Sequence, residues 1–126
     1  MTGFVLFAHG SRIESANQAV RDIAAQMAES ENHLVEPAFL ELGQPDLAGA
    51  AARLVDHGAT RIVVIPYFLT LGTHLQRDLP QLVRDSVAAH AQVEFEVTPP
   101  LDGHPALLEI VLSRAREALQ HSVETL

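Results

Sequence analysis

The stretch FVLFAHGSR, residues 4–12, decides which fold this chain can adopt. Its first five residues are apolar without interruption, which is typical of a parallel strand buried on both faces. A second uninterrupted run, IVVI at residues 62–65, has the same character. The two runs therefore predict two central strands of a parallel sheet. The first of them is followed directly by His9 and Gly10, so a histidine is expected where a buried strand ends.

Four β-like runs alternate along the chain with four stretches of helical periodicity. The β-like runs cover residues 4–8, 35–42, 61–69 and 93–98. Between and after them, apolar residues recur at intervals of three and four, as in amphipathic helices. Such alternation indicates a parallel sheet with helices on both faces. The chain of 126 residues shows no repeat and no linker, so we expect one α/β domain over residues 1–126.

The polarity of the two remaining runs predicts the order of the strands. VEFEV, residues 93–97, alternates charged and apolar side chains, which is typical of a half-solvated edge strand. The second run contains Pro37, which is also an edge signal. The predicted order is 2-1-3-4, the flavodoxin-like doubly wound pattern. In such sheets ligands bind beyond the carboxyl ends of the strands, at the switch point between the first and third strands.

Several candidate functional residues follow those carboxyl ends. His9 ends the first strand and His74 follows the third, so the two are expected to flank the switch point. Glu41 ends the second predicted strand and is interpreted as a third metal ligand, a general base or a solvated strand end. His104 follows the fourth strand, and before Pro105 it could instead be the N-cap of a helix. The other four histidines are expected to be structural: His33, His57, His90 and His121.

Helix-start signals lie close to both flanking histidines. SRIE at residues 11–14 and THLQ at residues 73–76 each fit a capping box, although SANQ at residues 15–18 competes with the first. If both boxes form, the two histidines lie at positive helix ends, where a neutral imidazole is favoured. Neutral imidazole binds divalent metals or accepts a proton. Pro80 instead favours a later start of the third helix, near Asp78.

The charge balance limits the classes of ligand and partner. The net charge is −8 and all eight cations are arginines, which argues against a nucleic-acid partner. An anionic ligand would therefore have to be captured locally, by helix N–H groups and by Arg12 and Arg77. The chain has no cysteine, so a metal would meet imidazole and oxygen ligands, which suit cobalt, nickel, iron or zinc.

No membrane association or export is expected from the sequence. The longest apolar run, residues 62–69, contains a proline and is much too short to span a bilayer. The chain opens on a core strand rather than on a basic, apolar secretory leader. We therefore expect a cytoplasmic protein without a membrane partner.

Four stretches of the sequence together resemble the small class II tetrapyrrole chelatases, the short sirohydrochlorin chelatases. They are AHGSR at 8–12, PAFLELGQPDL at 37–47, RIVVIPYFLTLGTHLQRDLP at 61–80 and PPLDGHP at 99–105. The resemblance implies a lyase that inserts Co²⁺, Fe²⁺ or Ni²⁺ into sirohydrochlorin or a related polycarboxylated tetrapyrrole, in cobalamin or sirohaem biosynthesis. The metal is then a co-substrate, and no organic cofactor is expected.

The resemblance also implies roles for individual residues. His9 and His74 match the histidines that handle the metal, and we add Glu41 to them as a catalytic candidate. One departure is Thr73, where members of the family usually have a glycine. Half-length chains of this kind resemble those that form symmetric homodimers with the cavity between the subunits. The expected substrate-binding residues are Ser11, Arg12, Arg77 and His104.

Two other functions are compatible with the same residues. A carrier would hold the metal or the tetrapyrrole without inserting one into the other. A phosphohistidine-type phosphotransfer enzyme would also have a histidine and a glycine near the end of its first strand, with His104 as a possible second histidine. Such enzymes need an arginine directly before the first histidine, however, and Ala8 is at that position.

Overall fold

The computed structural model describes residues 1–121, in which four strands and four helices alternate. The elements are β1 (Thr2–Ala8), α1 (Glu14–Glu31), β2 (Leu34–Phe39), α2 (Leu47–Asp56), β3 (Arg61–Pro66), α3 (Thr73–Ala89), β4 (Glu94–Val97) and α4 (Pro105–Leu119). All strand pairs are parallel and the order is β2-β1-β3-β4. The predicted α/β fold and the predicted strand order are therefore confirmed.

The two central strands owe their position to their uninterrupted apolar sequences. In the register of the sheet, Leu6 of β1 lies beside Pro37 of β2 on one side and Ile65 of β3 on the other. Pro37 has no N–H to offer to a further strand, and the edge position of β2 requires none. Helices α2 and α3 cover one face of the sheet, and α1 covers β1 and β2 on the other. The fully buried residues of the central strands are Val5, Phe7, Ile62, Val64 and Pro66.

The second and third strands end earlier than the sequence predicted. The chain leaves β2 after Phe39, whose N–H donates to the carbonyl oxygen of Pro45, so the intervening loop folds back on the strand. Leu42, with a φ of 57°, adopts a left-handed conformation that no strand contains. Glu41 therefore lies in the loop after β2 and not at a strand end. Beyond β3, the apolar residues 67–69 continue into a loop in which Leu69 is exposed.

The predicted capping boxes are wrong at both helix starts. The Ser11 hydroxyl accepts a hydrogen bond from the N–H of Ile13 at 3.0 Å, and α1 begins at Glu14 without a side-chain cap. Helix α3 begins at Thr73, with Gly72 at its N-cap position and again no side-chain cap. The two helix starts are thus set by short-range turns and tertiary packing, and not by side-chain caps.

Helix α3 also begins earlier than Pro80 indicated, and it continues through that proline. Leu75 and Leu79 are buried against the sheet on the two turns that precede Pro80. This packing holds the first turns in helical form, although the proline supplies no N–H to the helix. The early start places His74 in the first turn of α3.

Helix α4 differs from the other described helices in its surroundings. Helices α1, α2 and α3 each bury residues against the sheet, whereas none of the residues of α4, all within the described part of the chain, is buried. Among residues 1–121, no helix combines the length and the apolarity that are needed to cross a lipid bilayer.

Candidate functional site

The loops after β1 and β2 bring His9 and Glu41 together. The main-chain oxygen of His9 accepts a hydrogen bond from the N–H of Glu41 at 3.1 Å. The carboxylate oxygen Oε1 of Glu41 lies 3.9 Å from Nδ1 of His9, and the two side chains are 57% and 58% exposed. This distance is longer than a hydrogen bond, but a small rotation of either exposed side chain would bring the carboxylate within hydrogen-bond reach of the ring. This pair therefore provides an accessible base with an acidic neighbour.

Gly10 allows the two loops to approach each other. Its φ is +94°, and a Cβ atom at this position would lie 1.7 Å from the main-chain oxygen of Glu41. A side chain would be strained by the left-handed backbone and would also overlap the neighbouring loop. The glycine that follows His9 is thus required for the contact between His9 and Glu41.

Asn17 of α1 holds the loops after β1 and β2 in place, and the sequence analysis did not identify it. Its side chain is buried, its amide oxygen accepts from the N–H of Ser11 at 2.9 Å, and its amide nitrogen donates to the oxygens of Ser11 and Leu42. The signal was present in the sequence. Asn17 is a polar residue in the apolar stripe of α1, between Ile13 and Val20, and a buried amide needs partners.

The loop after β3 packs against His9 from the other side. The ring of Phe68 meets the ring of His9 edge-on, with centroids 6.4 Å apart, and it also meets Phe7 of β1 at 6.2 Å. This loop leads directly into α3. Phe68 therefore lies next to both the end of β1 and the exposed side chain of His9.

His74 is exposed and paired with an arginine one turn later. Nη2 of Arg77 lies 3.2 Å from Nδ1 of His74, and Nε of Arg77 donates to Asp78 at 3.2 Å. Because a guanidinium can only donate, Nδ1 of His74 must accept, which corresponds to a neutral ring with its proton on Nε2. A metal could bind Nδ1 only after Arg77 has moved away.

The remaining predicted residues have different surroundings. Arg12 is exposed beside Ser11, whose hydroxyl accepts from Ile13 while its proton remains available to donate. His104 is the N-cap of α4, and its Nδ1 accepts from the N–H of Ala106 at 3.0 Å. The N-cap alternative for His104 is thereby confirmed, and Nε2 stays available for another partner. His104 also lines a cavity of about 440 Å³ next to the loop after β4.

The candidate residues His9, Glu41 and His74 do not form a closed metal site. Within residues 1–121, no three His, Asp or Glu side chains converge in a way that could hold a metal ion. His9 and Glu41 form one pair, and His74 and Arg77 form another, both on exposed loops or helix starts. Ligands of this kind can replace a few water molecules on a divalent ion without enclosing it.

Three of the other four histidines have surroundings that fit the structural role predicted for them. His33 packs against Phe4 with ring centroids 4.7 Å apart, and Nδ1 of His57 lies 2.7 Å from the oxygen of Arg53 at the end of α2. His90 is the C-cap of α3, and His121 follows α4.

Comparison with known proteins identifies similar sequences over nearly the whole chain. The model of the CbiX family matches residues 3–118. The sirohydrochlorin cobaltochelatase of Methanopyrus kandleri is 31% identical, over 94% of this chain and 98% of that protein. The chloroplastic sirohydrochlorin ferrochelatase of Arabidopsis thaliana is 33% identical over 94% of this chain, but the chain spans only 53% of that protein.

Two solved structures have the same architecture. A CbiX protein from Marinobacter aquaeolei VT8 superimposes with a TM-score of 0.85 and 27% identity, over 97% of this chain and 100% of that chain. The sirohydrochlorin chelatase SirB from Bacillus subtilis subspecies spizizenii, in complex with cobalt, gives a TM-score of 0.80. It is 22% identical, and the match covers 92% of this chain and 50% of that one, so this likeness supports the fold alone.

Proposed function

Since the chain belongs to the CbiX family of chelatases, we propose that it is a lyase that inserts a divalent metal ion into sirohydrochlorin. The match to the cobaltochelatase of Methanopyrus kandleri over almost the full length of both proteins carries this proposal. Co²⁺ and Fe²⁺ are the metals that the names of the relatives favour, and Ni²⁺ is a third candidate. The product would enter cobalamin or sirohaem biosynthesis.

Metal insertion makes three physical demands on the protein. Water must leave the ion, the macrocycle must be held so that its nitrogens face the ion, and two pyrrole N–H protons must be removed as the metal–nitrogen bonds form. His9 and His74 would first replace water ligands on M²⁺. As the ion moves from an imidazole nitrogen to the macrocycle, that nitrogen would become free to accept one of the two protons. Glu41, 3.9 Å from Nδ1 of His9, would stabilise the imidazolium that forms there. Binding must stay weak enough for the ion to be transferred.

Arg77 would couple binding of the macrocycle to the availability of His74. The guanidinium of Arg77 donates to Nδ1 of His74. A peripheral carboxylate of the macrocycle is a better acceptor for a guanidinium than a neutral imidazole nitrogen, because the hydrogen bond is then charge-assisted on both sides. Substrate binding would therefore draw Arg77 away and leave Nδ1 free to bind the ion or a proton.

The acidic substrate would be held by local donors rather than by the field of the whole protein. Arg12, Arg77, the hydroxyl of Ser11 and Nε2 of His104 all lie on loops or helix starts at the carboxyl ends of the strands. N–H groups in the first turn of α3 add further donors for carboxylates. Such contacts can bind a polycarboxylate even though the chain carries a net charge of −8.

The proposal also covers the domain organisation, the oligomeric state and the location of the protein. His9, His74 and Glu41 are exposed, so a single copy offers one wall of a cavity rather than an enclosure. We propose that residues 1–126 form one domain and that two copies form a homodimer around the macrocycle. The protein would act in the cytoplasm on small-molecule substrates, without an organic cofactor and without a nucleic-acid or membrane partner.

The direct test is a metal-insertion assay with the purified protein. Sirohydrochlorin is incubated under anaerobic conditions with Co²⁺, Fe²⁺ or Ni²⁺, and the visible spectrum of the metallated product is followed over time. We expect insertion above the uncatalysed rate with at least one metal, over many turnovers. A protein that binds metal or sirohydrochlorin stoichiometrically, without accelerating insertion in single-turnover mixing, would instead be a carrier.

A further inference from the structure

Two loops flank His9, and each of them presents an exposed leucine. Glu41, in the loop after β2, lies 3.9 Å from Nδ1 of His9, and the ring of Phe68, in the loop after β3, lies 6.4 Å from the histidine ring. The residue that follows each of these contacts is a leucine, and Leu42 and Leu69 are 50% and 63% exposed. Because β2 and β3 lie on opposite sides of β1, an apolar side chain reaches solvent in each of the loops beside this imidazole.

Leu42 adopts a backbone conformation that a leucine rarely takes. Its φ is 57°, in the left-handed region, where the Cβ atom comes too close to the following carbonyl oxygen and where glycine or asparagine is usual. The buried amide of Asn17 donates to the oxygen of Leu42 at 2.8 Å and holds the main chain in this conformation. Backbone strain of this kind is found preferentially at functional positions. Because half of the side chain is exposed, packing within the chain accounts for only part of its use.

The main chain of Leu69 is anchored as well. Its oxygen accepts a hydrogen bond from the N–H of Asp102 at 2.8 Å, and the oxygen of Phe68 accepts from the N–H of Leu101 at 2.9 Å. These two bonds tie the loop after β3 to the loop after β4. A side chain on an anchored main chain loses little conformational freedom when a ligand binds it. Both leucines are therefore pre-organised for a contact.

The polar residues of the proposed site leave one part of the macrocycle without a partner. Sirohydrochlorin carries carboxylates around its rim, whereas the two faces of its ring system are apolar. Arg12 and Arg77 are assigned to the carboxylates, and His9 and His74 to the ion and the protons. Ligand sites are lined mostly by apolar side chains, with a few polar groups that fix the orientation of the ligand. The carboxyl ends of β2 and β3 lie about 10 Å apart, a span that a tetrapyrrole covers.

We propose that Leu42 and Leu69 bind one face of the macrocycle on either side of His9. Each leucine contacts a pyrrole ring, and the imidazole between them faces the centre of the macrocycle, where the ion must enter. Contacts on both sides of the centre keep the ring from tilting, and they hold its nitrogens in line with the histidine. The left-handed backbone of Leu42 is retained because the side chain at this position has to be apolar.

The first test measures the affinity for metal-free sirohydrochlorin, by titration of its fluorescence with the protein. Leu42→Asn and Leu69→Asn should each raise the Kd about tenfold, because an apolar contact of a leucine with the ligand contributes this much. Leu42→Met and Leu69→Met keep an apolar side chain and should bind as the native chain does. Val87→Asn, an exposed position late in α3, is the matched control and should also keep the native Kd. A native Kd in either Asn variant of the loops would remove that leucine from the contact.

The second test separates the ligand contact from backbone strain. Leu42→Asn should melt close to the native temperature, because asparagine tolerates a left-handed backbone. Asn32→Leu places a leucine in a similar backbone, with a φ of 54°, at the end of α1. This control should lower the melting temperature and leave the Kd for sirohydrochlorin unchanged. If Leu42→Asn instead melts well below the native chain, the leucine is kept for packing and the proposal is overturned at residue 42.

The third test examines the chemistry of the contact. The loss of affinity in Leu42→Asn and Leu69→Asn should be equal at low and high salt, whereas the loss in Arg77→Ala should shrink at high salt, because it removes a charged contact. A loss in the leucine variants that shrinks in the same way would overturn the apolar contact.

Two further outcomes separate this proposal from its neighbours. The proposal rests on the proposed function only for the identity of the ligand. A native chain that does not bind sirohydrochlorin would overturn both, whereas one that binds it without inserting metal would overturn insertion alone. The leucine variants should sediment as the native chain does. If they lose affinity only together with a change in mass, the leucines are contacts between subunits and the proposal is overturned.

Discussion

The N–H of Glu41 donates to the main-chain oxygen of His9 at 3.1 Å, while the carboxylate of the same glutamate lies 3.9 Å from Nδ1 of that histidine. This main-chain hydrogen bond does not involve the side chain of residue 41, so it holds the two loops together when that side chain is changed. The side-chain contact can therefore be altered without moving the backbone of His9. This separation makes the chemistry of the site testable independently of its architecture.

Glu41→Gln removes the charge of the carboxylate and keeps its size. We expect the rate of metal insertion to fall about tenfold, since the loss of an outer partner of a metal-handling histidine typically costs about 10- to 100-fold. The melting temperature should not change, because Glu41 is exposed. Glu31→Gln at the end of α1 is the matched control. Equal rates for Glu41→Gln and the native protein would leave Glu41 with no part in the reaction.

Gly10→Ala tests the close approach of the two loops. It should lower the free energy of unfolding by about 2–5 kcal/mol, from about 1–2 kcal/mol for a left-handed backbone and about 1–3 kcal/mol for the overlap with Glu41. Gly103→Ala has a similar φ, +80°, but nothing lies within 4 Å of its Cβ position. The free energy of unfolding of Gly103→Ala should therefore fall only by the backbone contribution, about 1–2 kcal/mol. Urea denaturation curves of equal midpoint for the two variants would contradict the predicted overlap.

Asn17→Ala tests whether the buried amide organises the loop of His9. The substitution leaves the N–H and the oxygen of Ser11 and the oxygen of Leu42 without their partner, and we expect a loss of about 2–3 kcal/mol in the free energy of unfolding. Gln18→Ala removes one exposed hydrogen bond on the same helix and should cost less than about 0.5 kcal/mol. Insertion activity at a temperature where Asn17→Ala is still folded should also fall. A variant as active and as stable as the native chain would exclude this role.

Arg77→Ala separates substrate binding from metal handling. It removes the guanidinium that we propose binds a carboxylate of the macrocycle, and at the same time it frees Nδ1 of His74. We expect the KM for sirohydrochlorin to rise about tenfold, in line with the loss of about 1.4 kcal/mol of binding, while the metal concentration for half-maximal rate does not rise. Arg84→Ala, an exposed arginine later in α3, is the control. A higher metal requirement with an unchanged KM would contradict the assigned role.

The fold could be predicted because the strongest signals in the sequence agree with each other. Uninterrupted apolar runs identified β1 and β3 as central, while Pro37 and the alternating VEFEV identified the edges. The strand ends could not be predicted, because the left-handed Leu42 and the bond between Phe39 and Pro45 depend on tertiary contacts that periodicity does not report.

The site was predictable in part, for reasons that differ between residues. The placement of His9 after β1 and of His74 at the start of α3 follows from the order of the elements, and their role in binding a ligand at this edge of the sheet stays a prediction. The contact between His74 and Arg77 requires only that residues three apart on a helix are neighbours. Pro80 left a second helix start open, near Asp78, and a helix that began there would not have included His74. The lack of buried residues in α4 could not be foreseen, because an amphipathic pattern does not state which surface the helix packs on.

The most direct measurement is the rate of Co²⁺ insertion into sirohydrochlorin by His9→Ala and His74→Ala, with His121→Ala as the matched control beyond α4. Both site variants should keep the fold of the native protein, because the two side chains are exposed, and each should lose on the order of 100-fold or more in rate. The control should insert metal at the native rate. A native rate in either His9→Ala or His74→Ala would contradict the assignment of that imidazole to metal handling.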